Sequence, residues 1–517
     1  MPSRTTIQKA LKILSRQVQW QQPMVVRGNI DQTQLSISGS GDRVAKDTSI
    51  EQSSSSEFSF VVMGDTDFGP AKESAPNRFA AMFAKQMIAQ IDRSQFLLHT
   101  GDVTYPVGSY QNYLSGFLKP YRSLLSAEAF DGGDCTAANN LAFNQPIFNK
   151  PLLPVPGNHD YAQLPFCPRV RQAFVSFWLQ VLSKTFQIKT KRLCGQGGRA
   201  YGQIFLDDLE RLSPEELKHH LVQHYSAQPD NQTIEEPQTY CLNYVPGQFA
   251  RLPNRYYTFS YQQIDFFALD SNTWSAADSE PGFDRQQLDW LEEKLVRSWR
   301  SPNSRGRVIY LHHSPYTTER SRWQQSDTLW VRRHLRQVLD NVKARLISES
   351  DLRLDDRPLV DLVLSGHAHC LEHVKTMQTG HADANIDWVI CGGSGLDIRR
   401  QRSSGTQIVE SLRAGDRSIA KVVAQSLLYA GVHGEKGKNQ RFHSFIRIDV
   451  PAGELQRLVV RPFVVVKGRS GWQTRALDKI AVGGFLKSRS LPKRPRRPRE
   501  HSQEAYIHPS IVVSGRI

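Results

Sequence analysis

Short apolar runs that end in polar loops recur along the chain and predict buried strands. The first is "FSFVVMG" at residues 58–64, and the later ones are "FLLHTGD", "LLPVPGNHD", "RVIYLHHSP" and "VDLVLSGHAH". An apolar run of this length, bounded by turn residues, is typical of a strand buried on both faces. Each run ends in Gly, Pro, His or Asp, so polar side chains stand where each strand gives way to a loop.

Helical periodicity between some of these runs indicates a layered fold. In residues 283–299, Asp284 can cap a helix whose leucines recur on one face. Alternating strands and helices are typical of α/β folds. Residues 254–272 and 443–463 instead show extended pairs with polar breaks between them. We therefore predict an α/β sandwich of sheets with helices outside, rather than a plain doubly wound sheet.

The composition divides the chain into three parts. Residues 1–57 combine a short helical pattern with a Ser- and Gly-rich stretch that is typical of a linker. Residues 58–465 are the predicted core domain, with long insertions at about 125–150 and 161–250 that we expect to form a cap beside the site. Residues 466–517 include a Pro- and Arg-rich run, which predicts a basic and flexible tail.

Composition and charge narrow the classes of function. The chain has 517 residues and a net charge of +15, which favours anionic partners such as phosphate esters, nucleic acid or acidic lipid without choosing among them. No run approaches the ~20 apolar residues of a membrane-spanning helix. The N-terminus lacks an apolar signal core, so we expect a cytoplasmic protein. The 6 cysteines are scattered without a CxxC pair and are expected to be mostly reduced.

Side chains suited to chemistry follow each apolar run. In open α/β sheets the loops after the strands build the site, so we expect these groups to converge. Carboxylates, an amide oxygen, a phenol and imidazoles together suit zinc, iron or manganese rather than a thiolate site. In chain order they are Asp65-Thr66-Asp67, Gly101-Asp102 with Tyr105, Gly157-Asn158-His159-Asp160, His312-His313 and Gly366-His367-Ala368-His369.

Each of these motifs alone also has a purely structural interpretation. A single Gly-Asp pair is usually a turn, and a single His-Ala-His can be an exposed edge. Elsewhere, His220 and His224 have the helical i, i+4 spacing of a zinc pair, but no glutamate completes an HExxH, so a solvated helix face is favoured. The glycines after residue 391 are interpreted as a tight strand exit. What separates the five motifs from chance is their order, each after a buried-strand run.

That order resembles the calcineurin-like metallophosphoesterase superfamily. The motifs D-x-[DH], GDxx, GNH[DE], a later strand-terminal histidine and GHxH span about residues 58–465. The GDxxY form, with Tyr105, is similar to the purple acid phosphatase branch. The resemblance implies the metallophosphoesterase fold, a four-layer β-sandwich flanked by helices (α/β/β/α) with cap-like insertions.

The resemblance also implies a site for two metal ions. Asp65, Asp102, Tyr105 and His369 would hold the first ion, and Asp102, Asn158, His312 and His367 the second, with Asp102 bridging. Tyr105 would be a phenolate ligand to ferric iron. The identity of the two ions stays open among four pairs: Fe–Zn, Fe–Fe, Fe–Mn and Mn–Mn. The family usually has glycine where this chain has Asp67. The roles of Asp67 and His313 therefore stay open.

The implied reaction is hydrolysis of a phosphoric ester. A hydroxide bridging the two ions would attack phosphorus in line. His159 would stabilise the transition state or protonate the leaving oxygen, with Asp160 orienting either His159 or its loop. A phosphorylated small molecule hydrolysed as a monoester is favoured. A phosphodiesterase or nuclease, and a non-catalytic metal-binding scaffold, are the alternatives.

Overall fold

A computed structural model gives the structure of the chain. It describes residues 29–37, 56–66, 76–126, 146–162, 198–209, 212–227, 239–275, 277, 283–349, 357–395, 397–414, 417–434, 440–453, 457–468 and 471–483. In chain order the strands are β1 (Asn29–Ile37), β2 (Phe58–Met63), β3 (Phe96–His99), β4 (Leu152–Pro154), β5 (Tyr225–Ala227), β6 (Thr239–Tyr244), β7 (Tyr257–Tyr261), β8 (Ile264–Ala268), β9 (Gly306–Leu311), β10 (Leu362–Ser365), β11 (Leu371–Thr376), β12 (Asp387–Cys391), β13 (Gln407–Ala414), β14 (Arg417–Ala430), β15 (Val432–His433), β16 (Gln440–Arg441), β17 (His443–Val450), β18 (Leu458–Gly468), β19 (Gly471–Ala476) and β20 (Ile480–Val482).

Helices lie between and outside these strands. They are α1 (Pro76–Ile91), α2 (Tyr110–Asn112), which continues into a π-helical turn (Tyr113–Leu118), α3 (Asn158–Tyr161), α4 (Arg199–Phe205), α5 (Pro214–His224), α6 (Arg285–Arg300) and α7 (Ser326–Glu349), with 3₁₀ turns at Arg122–Leu124 and Ser271–Trp274. None of the described helices is both long and apolar enough to cross a membrane. As the leucine pattern predicts, α6 begins after Asp284, whose side chain accepts a hydrogen bond from the backbone of Gln287.

The strands form two large sheets. The order in the larger sheet is β13-β14-β11-β12-β10-β9-β8-β7-β1-β6-β5. The order in the smaller sheet is β19-β18-β17-β2-β3-β4, with β20 paired to β18, and β15 and β16 form a separate small pair. Strands β2, β3 and β4 are parallel, as are β8, β9, β10 and β12. Their carboxyl ends therefore share an edge within each sheet, which is where the predicted site motifs begin.

The two sheets pack face to face through aromatic side chains. Phe60 of the smaller sheet meets Phe266 of the larger one with ring centroids 5.3 Å apart. Phe96 meets Phe259 at 5.7 Å in the same edge-to-face manner. These rings are buried, and edge-to-face pairs stabilise beyond the area that they remove from water. They form the inner layer of the sandwich.

Helices cover both outer faces. On the smaller sheet, Phe83 of α1 contacts Phe445 of β17 at 5.9 Å. On the larger sheet, Leu291 of α6 and Leu339 of α7 belong to one buried cluster with Ile309 of β9. The layers therefore run helix, sheet, sheet, helix. The predicted α/β/β/α fold class is confirmed.

The ordered sheets extend past both predicted domain boundaries, at 58 and 465. Strand β1 lies in the segment predicted as a linker, yet it pairs with β6 and buries Leu35. Strand β18 continues to Gly468, and β19 and β20 pair with it, burying Val482. Strand β1 is mostly polar, and no side chain of β19 is fully buried. A search for continuous apolar runs therefore does not find them.

The described parts of the interval 161–250 belong to the body of the fold. Strands β5 and β6 extend the larger sheet, and Tyr201 of α4 donates a hydrogen bond to the carbonyl of Pro154 at 3.1 Å. These parts are core rather than cap. Residues 127–145 and 163–197, the N-terminal helical pattern and the chain beyond residue 483 lie outside the described residues. Cys370 and Cys391 are buried free thiols, and Cys241 is also buried.

Candidate metal centre

The polar residues predicted at the strand ends converge at one edge of the sandwich. Asp65 follows β2, Asp102 follows β3, and Asn158, His312 and His367 follow β4, β9 and β10. All five side chains are buried. Ligand atoms of Asp65, Asp102 and His312 lie within 4.8 Å of one another. The two sheets thus contribute to one cluster, as the positions of the motifs predict.

The backbone of this cluster adopts rare conformations. Asp65, Asp102 and His367 have φ of 56°, 52° and 65°. This left-handed region is unfavourable for residues with a Cβ, and such strain gathers at functional sites. A Cβ on Gly157 would lie 2.2 Å from Asp102 Oδ1, and one on Gly366 would lie 2.6 Å from Asp65 Oδ2. The glycines of the GNH and GHxH motifs therefore make room for the two carboxylates.

In one half of the cluster, the Tyr105 hydroxyl meets two carboxylates. Its oxygen lies 2.9 Å from Asp65 Oδ1 and 2.7 Å from Asp102 Oδ2. His369 Nε2 lies 3.2 Å from the same hydroxyl. The phenol has a single hydrogen, so it donates to only one of the two carboxylates at a time. The remaining contacts bring lone pairs together, which is an arrangement that a cation stabilises.

The other half of the cluster is built around His312. Its Nε2 lies 3.0 Å from Asn158 Oδ1 and 3.4 Å from Asp102 Oδ2. The Nδ1 of His367 lies 3.2 Å from the same His312 nitrogen. Asp102 therefore contacts both halves, since its Oδ2 also accepts from Tyr105. The residues of the two predicted ligand sets come together as two groups that share this carboxylate.

Hydrogen bonds on the far side of two rings decide which nitrogen faces the cluster. His312 Nδ1 donates to the carbonyl of Thr100 at 2.8 Å. His369 Nδ1 donates to the carbonyl of Asp397 at 2.8 Å. A neutral imidazole that donates from one nitrogen presents a lone pair on the other. Both Nε2 atoms therefore face the cluster. Metal-binding histidines are usually held in this way, with the other ring nitrogen donating a hydrogen bond away from the metal.

His367 is held in the same way by a carboxylate. Its Nε2 donates to Asp327 Oδ2 at 3.1 Å, which leaves the Nδ1 lone pair facing His312. His313, whose role was open, is buried with its Nδ1 2.9 Å from Ser271 Oγ. Its ring packs on that of His367, with centroids 4.5 Å apart. His313 therefore stands directly beside the cluster, while Asp67 lies outside the described residues.

The protonation of these groups reflects a surplus of negative charge. Burial opposes protonation of His312, but the carboxylate of Asp102 raises its pKa to about 9. Burial also opposes protonation of His369, but hydrogen bonds to two carboxylates raise its pKa to about 9. Burial and the neighbouring carboxylates raise the pKa of Tyr105 well above its ordinary value. The cluster thus favours bound positive charge, and a metal cation there would displace these protons.

His159 and Asp160 have different neighbours. The His159 ring lies half-buried against the Tyr105 ring, with centroids 4.2 Å apart, and its Nδ1 donates to the carbonyl of Pro106 at 2.7 Å. Asp160 accepts from Gly157 N at 2.8 Å and from the Tyr113 hydroxyl at 2.6 Å. Burial and the charge of Asp102 raise the pKa of Asp160 to about 7. In these contacts Asp160 holds the loop, and a backbone carbonyl orients the imidazole.

Comparison with known families agrees with this arrangement. The model of the calcineurin-like phosphoesterase family matches residues 58–371, more than half of the chain. The chain belongs to the calcineurin-like phosphoesterase family. No curated protein matches the chain.

Solved structures similar to this chain share little sequence with it. One is GAP50, the anchor in the inner membrane complex of Plasmodium, with 13% identity, a TM-score of 0.39, and coverage of 84% of this chain and 90% of that one. The purple acid phosphatase PPD1 from yellow lupin has 12% identity, a TM-score of 0.43, and coverage of 84% and 55%. A dimetal phosphatase from Danio rerio has 11% identity, a TM-score of 0.34, and coverage of 81% and 98%. All three TM-scores lie below 0.5, so the family assignment rests on the family model.

Several residues that support the cluster were not found by sequence reasoning. Asp327, at the start of α7, has no motif around it and becomes visible only through its bond to His367. His99 ends an apolar run and looks like part of a strand. Its Nδ1 accepts from Gly101 N at 3.2 Å, and its Nε2 lies 2.9 Å from Thr66 Oγ1, so it braces the first two loops. Burial lowers the pKa of His99 to about 3 and keeps the ring neutral.

Two other motifs lie apart from the cluster or serve packing. His220 and His224 are on α5, where His220 Nε2 bonds to Asp207 Oδ2 at 3.0 Å. The ring of His224 stacks on Phe249 with centroids 3.7 Å apart. After β12, a Cβ on Gly392 would lie 2.3 Å from the carbonyl of Ala368. These contacts favour the structural interpretations: a packed helix face and a tight strand exit.

Proposed function

We propose that this phosphoesterase hydrolyses phosphomonoesters with two bound metal ions. Asp65, Asp102, Tyr105 and His369 would hold one ion, and Asp102, Asn158, His312 and His367 the other. The phenol of Tyr105 favours ferric iron in the first position, with Zn, Fe or Mn in the second. Oxygen and imidazole ligands of this kind suit these ions.

One observation carries the proposal: with its imidazoles unprotonated, as a bound cation would hold them, the cluster contains more facing lone pairs than hydrogens. Tyr105 has one hydrogen for two carboxylate oxygens at 2.9 and 2.7 Å. His312 Nε2 and His367 Nδ1 lie 3.2 Å apart, while each ring donates its other nitrogen away from the cluster. A buried structural cluster would pair donors with acceptors instead. Metal coordination is the chemistry that uses such an arrangement.

The chain's own residues divide the remaining work. When bound, the two ions supply Lewis-acid chemistry, which activates water and neutralises phosphate charge. Asp102 accepts from His159 N at 2.8 Å, which fixes the His159 loop relative to both halves of the cluster. The half-buried ring of His159 is oriented by Pro106 and is placed to hold a proton for the leaving oxygen. A monoester brings two negative charges, which suits a chain with a net charge of +15.

The test compares p-nitrophenyl phosphate with bis(p-nitrophenyl) phosphate as substrates. Wild-type protein, Asp102→Asn and the exposed-carboxylate control Asp289→Asn are assayed in parallel, with the metal content of each measured by elemental analysis. We expect monoester hydrolysis with two ions per chain, loss of both in Asp102→Asn, and wild-type behaviour in the control. Faster diester cleavage would assign a phosphodiesterase or nuclease instead. If wild-type protein holds metal but cleaves neither ester, the proposal fails and the non-catalytic metal-binding scaffold is favoured.

A further inference from the structure

Two arginine-rich segments are joined beside the metal centre. One is residues 319–322, "ERSR", between β9 and α7, and the other is residues 397–402, "DIRRQR". Arg320 N donates to the carbonyl of Arg400 at 2.9 Å, and Arg399 Nη1 donates to Ser321 Oγ at 2.7 Å. Residues about eighty positions apart in the chain thus form one arginine-rich rim, defined here as residues 319–322 with 397–402.

Backbone hydrogen bonds fasten this rim to the proposed ligands. His369 Nδ1 donates to the carbonyl of Asp397 at 2.8 Å, and Arg399 N donates to the carbonyl of His369 at 2.9 Å. On the other segment, the helix that follows Arg322 carries Asp327, which accepts from His367. The rim is therefore connected to both halves of the cluster. Asp397 orients His369 in one half, and Asp327, five residues after Arg322, orients His367 in the other.

Arg322 has hydrogen-bond donors to spare. Its guanidinium carries five N–H groups, and in the described part of the chain its one side-chain hydrogen bond runs from Nη1 to Gln325 Oε1, at 2.6 Å. Its Nε is buried and has no hydrogen-bond partner there. The turn is stiffened because the guanidinium of Arg402 lies over the ring of Trp323, 4.3 Å from its centroid. A buried guanidinium nitrogen without a partner favours an acceptor that the described residues do not provide.

The charges around the rim leave it cationic. The carboxylate of Glu319 accepts from Ser321 rather than from an arginine, and Asp397 pairs with Arg399 at 2.8 Å. In the described residues no carboxylate lies within ion-pair distance of Arg322. Arginine is well suited to forked contacts with phosphate and carboxylate groups.

We propose that Arg322 and Arg399 form an anion subsite that binds a second anionic group, a phosphate or a carboxylate, on the leaving part of a phosphomonoester. This inference rests on the proposed phosphomonoesterase function and narrows its substrate class to esters with two anionic ends. One phosphoryl group lies at the metal centre for hydrolysis. The other end is held by the guanidinium groups and is released with the product alcohol.

The test uses two esters that differ by one anionic group: phenyl phosphate and 4-(phosphonomethyl)phenyl phosphate. The phosphonate has a carbon–phosphorus bond and is not itself hydrolysed as an ester. The measured quantity is the ratio of kcat/KM for the second ester to that for the first. We expect a ratio above one in wild-type protein, a fall of about tenfold in Arg322→Gln, and partial recovery in Arg322→Lys. Arg345→Gln is the control. It removes a surface arginine of α7 that pairs with Glu292 of α6, and it is expected to keep the wild-type ratio.

Binding separates failure of the subsite from failure of the function. Calorimetry with benzylphosphonate and with 1,4-xylylenediphosphonate measures the same preference without turnover. Hydrolysis of phenyl phosphate with no preference in either assay would overturn the subsite and leave the function standing. If neither ester is cleaved, a tighter diphosphonate that loses affinity in Arg322→Gln supports the subsite alone. Equal binding of both phosphonates in that case would overturn the subsite together with the function.

Discussion

Two groups of side chains in this protein both contain histidine, aspartate and tyrosine, but their hydrogen bonds are arranged differently. In the proposed metal centre, His312 and His367 donate outward, to Thr100 and Asp327, and when neutral they turn lone pairs toward each other at 3.2 Å. On α5, His220 bonds directly to Asp207, which also accepts from the Tyr225 hydroxyl at 2.9 Å. With neutral imidazoles the first group is short of hydrogen-bond donors, whereas in the second group His220 and Tyr225 both bond to Asp207. The direction of the N–H groups, rather than the residue types, separates a metal site from a packed cluster.

Their positions in the fold explain this difference. The residues of the proposed metal centre follow parallel strands in two sheets, so several chain segments converge on one point. The α5 residues lie on a single helix face against a sheet edge, where His224 stacks on Phe249. A helix face presents its side chains side by side, whereas converging strand ends present them toward a common centre. The spacing i, i+4 alone therefore says little about metal binding.

The sharpest test of this contrast removes one histidine from each group. His312→Ala is expected to lower kcat/KM for an aryl phosphate by more than about a hundredfold and to lower the metal content, because loss of an outer partner alone costs ten- to a hundredfold. His220→Ala is the matched variant and is expected to retain both values. Steady-state kinetics and elemental analysis measure the two effects, with circular dichroism as the check of folding. Metal loss in folded His220→Ala would end the distinction between the groups.

Asp327→Asn tests whether the hydrogen bond that His367 donates away from the cluster is needed for metal binding. The amide keeps the shape but weakens the acceptor that orients His367, so metal affinity or activity is expected to fall by about ten- to a hundredfold. Asp340→Asn is the matched control, because Asp340 bonds to the exposed His381 at 2.7 Å, away from the centre. Competition with a chelator gives the affinity. Equal affinities in both variants would show that Asp327 only packs against its neighbours.

The difference between the groups also explains what the sequence could predict. Asp65, Asp102, Asn158, His312 and His367 were predictable because a buried parallel strand leaves a clear apolar signal, and its last residue fixes where the loop begins. The two-sheet sandwich was predicted from the extended pairs at residues 254–272 and 443–463, and its four layers were implied by the family resemblance. The family resemblance then supplied the proposed roles, which the motif spacing alone does not contain.

The features that sequence reasoning missed depend on the path of loops and on half-covered strands. Asp327 meets His367 only because α7 begins beside the end of β10. The pairing of Arg320 with Arg400 joins two loops whose separate sequences show only charge. Strand β1 is mostly polar and contains no continuous apolar run. Local patterns report burial well, whereas they carry little information about which loops become neighbours.

Asp207→Asn tests the claim that the α5 group is structural. Asp207 is 5% exposed and accepts from both His220 and Tyr225, so the substitution weakens two buried hydrogen bonds. We expect the free energy of unfolding to fall by about 1–3 kcal/mol, with hydrolysis and metal content unchanged. Urea denaturation followed by fluorescence measures the first, and Asp289→Asn controls for loss of an exposed carboxylate. Reduced metal content at unchanged stability would assign the α5 group a functional role.

The smallest expected effect is a pH dependence from His224. Burial, followed by the neighbouring His220, lowers the pKa of His224 below its ordinary value of 6.5. The unfolded chain therefore takes up a proton that the native ring resists, and stability is lost as the pH falls through 6.5. His224→Phe keeps a ring against Phe249 and removes the titration, so its stability relative to wild-type protein is expected to rise between about pH 7 and pH 5. Denaturation at several pH values measures this difference. A constant difference across that range would mean that the stacked ring titrates normally and that the α5 group is looser than its geometry indicates.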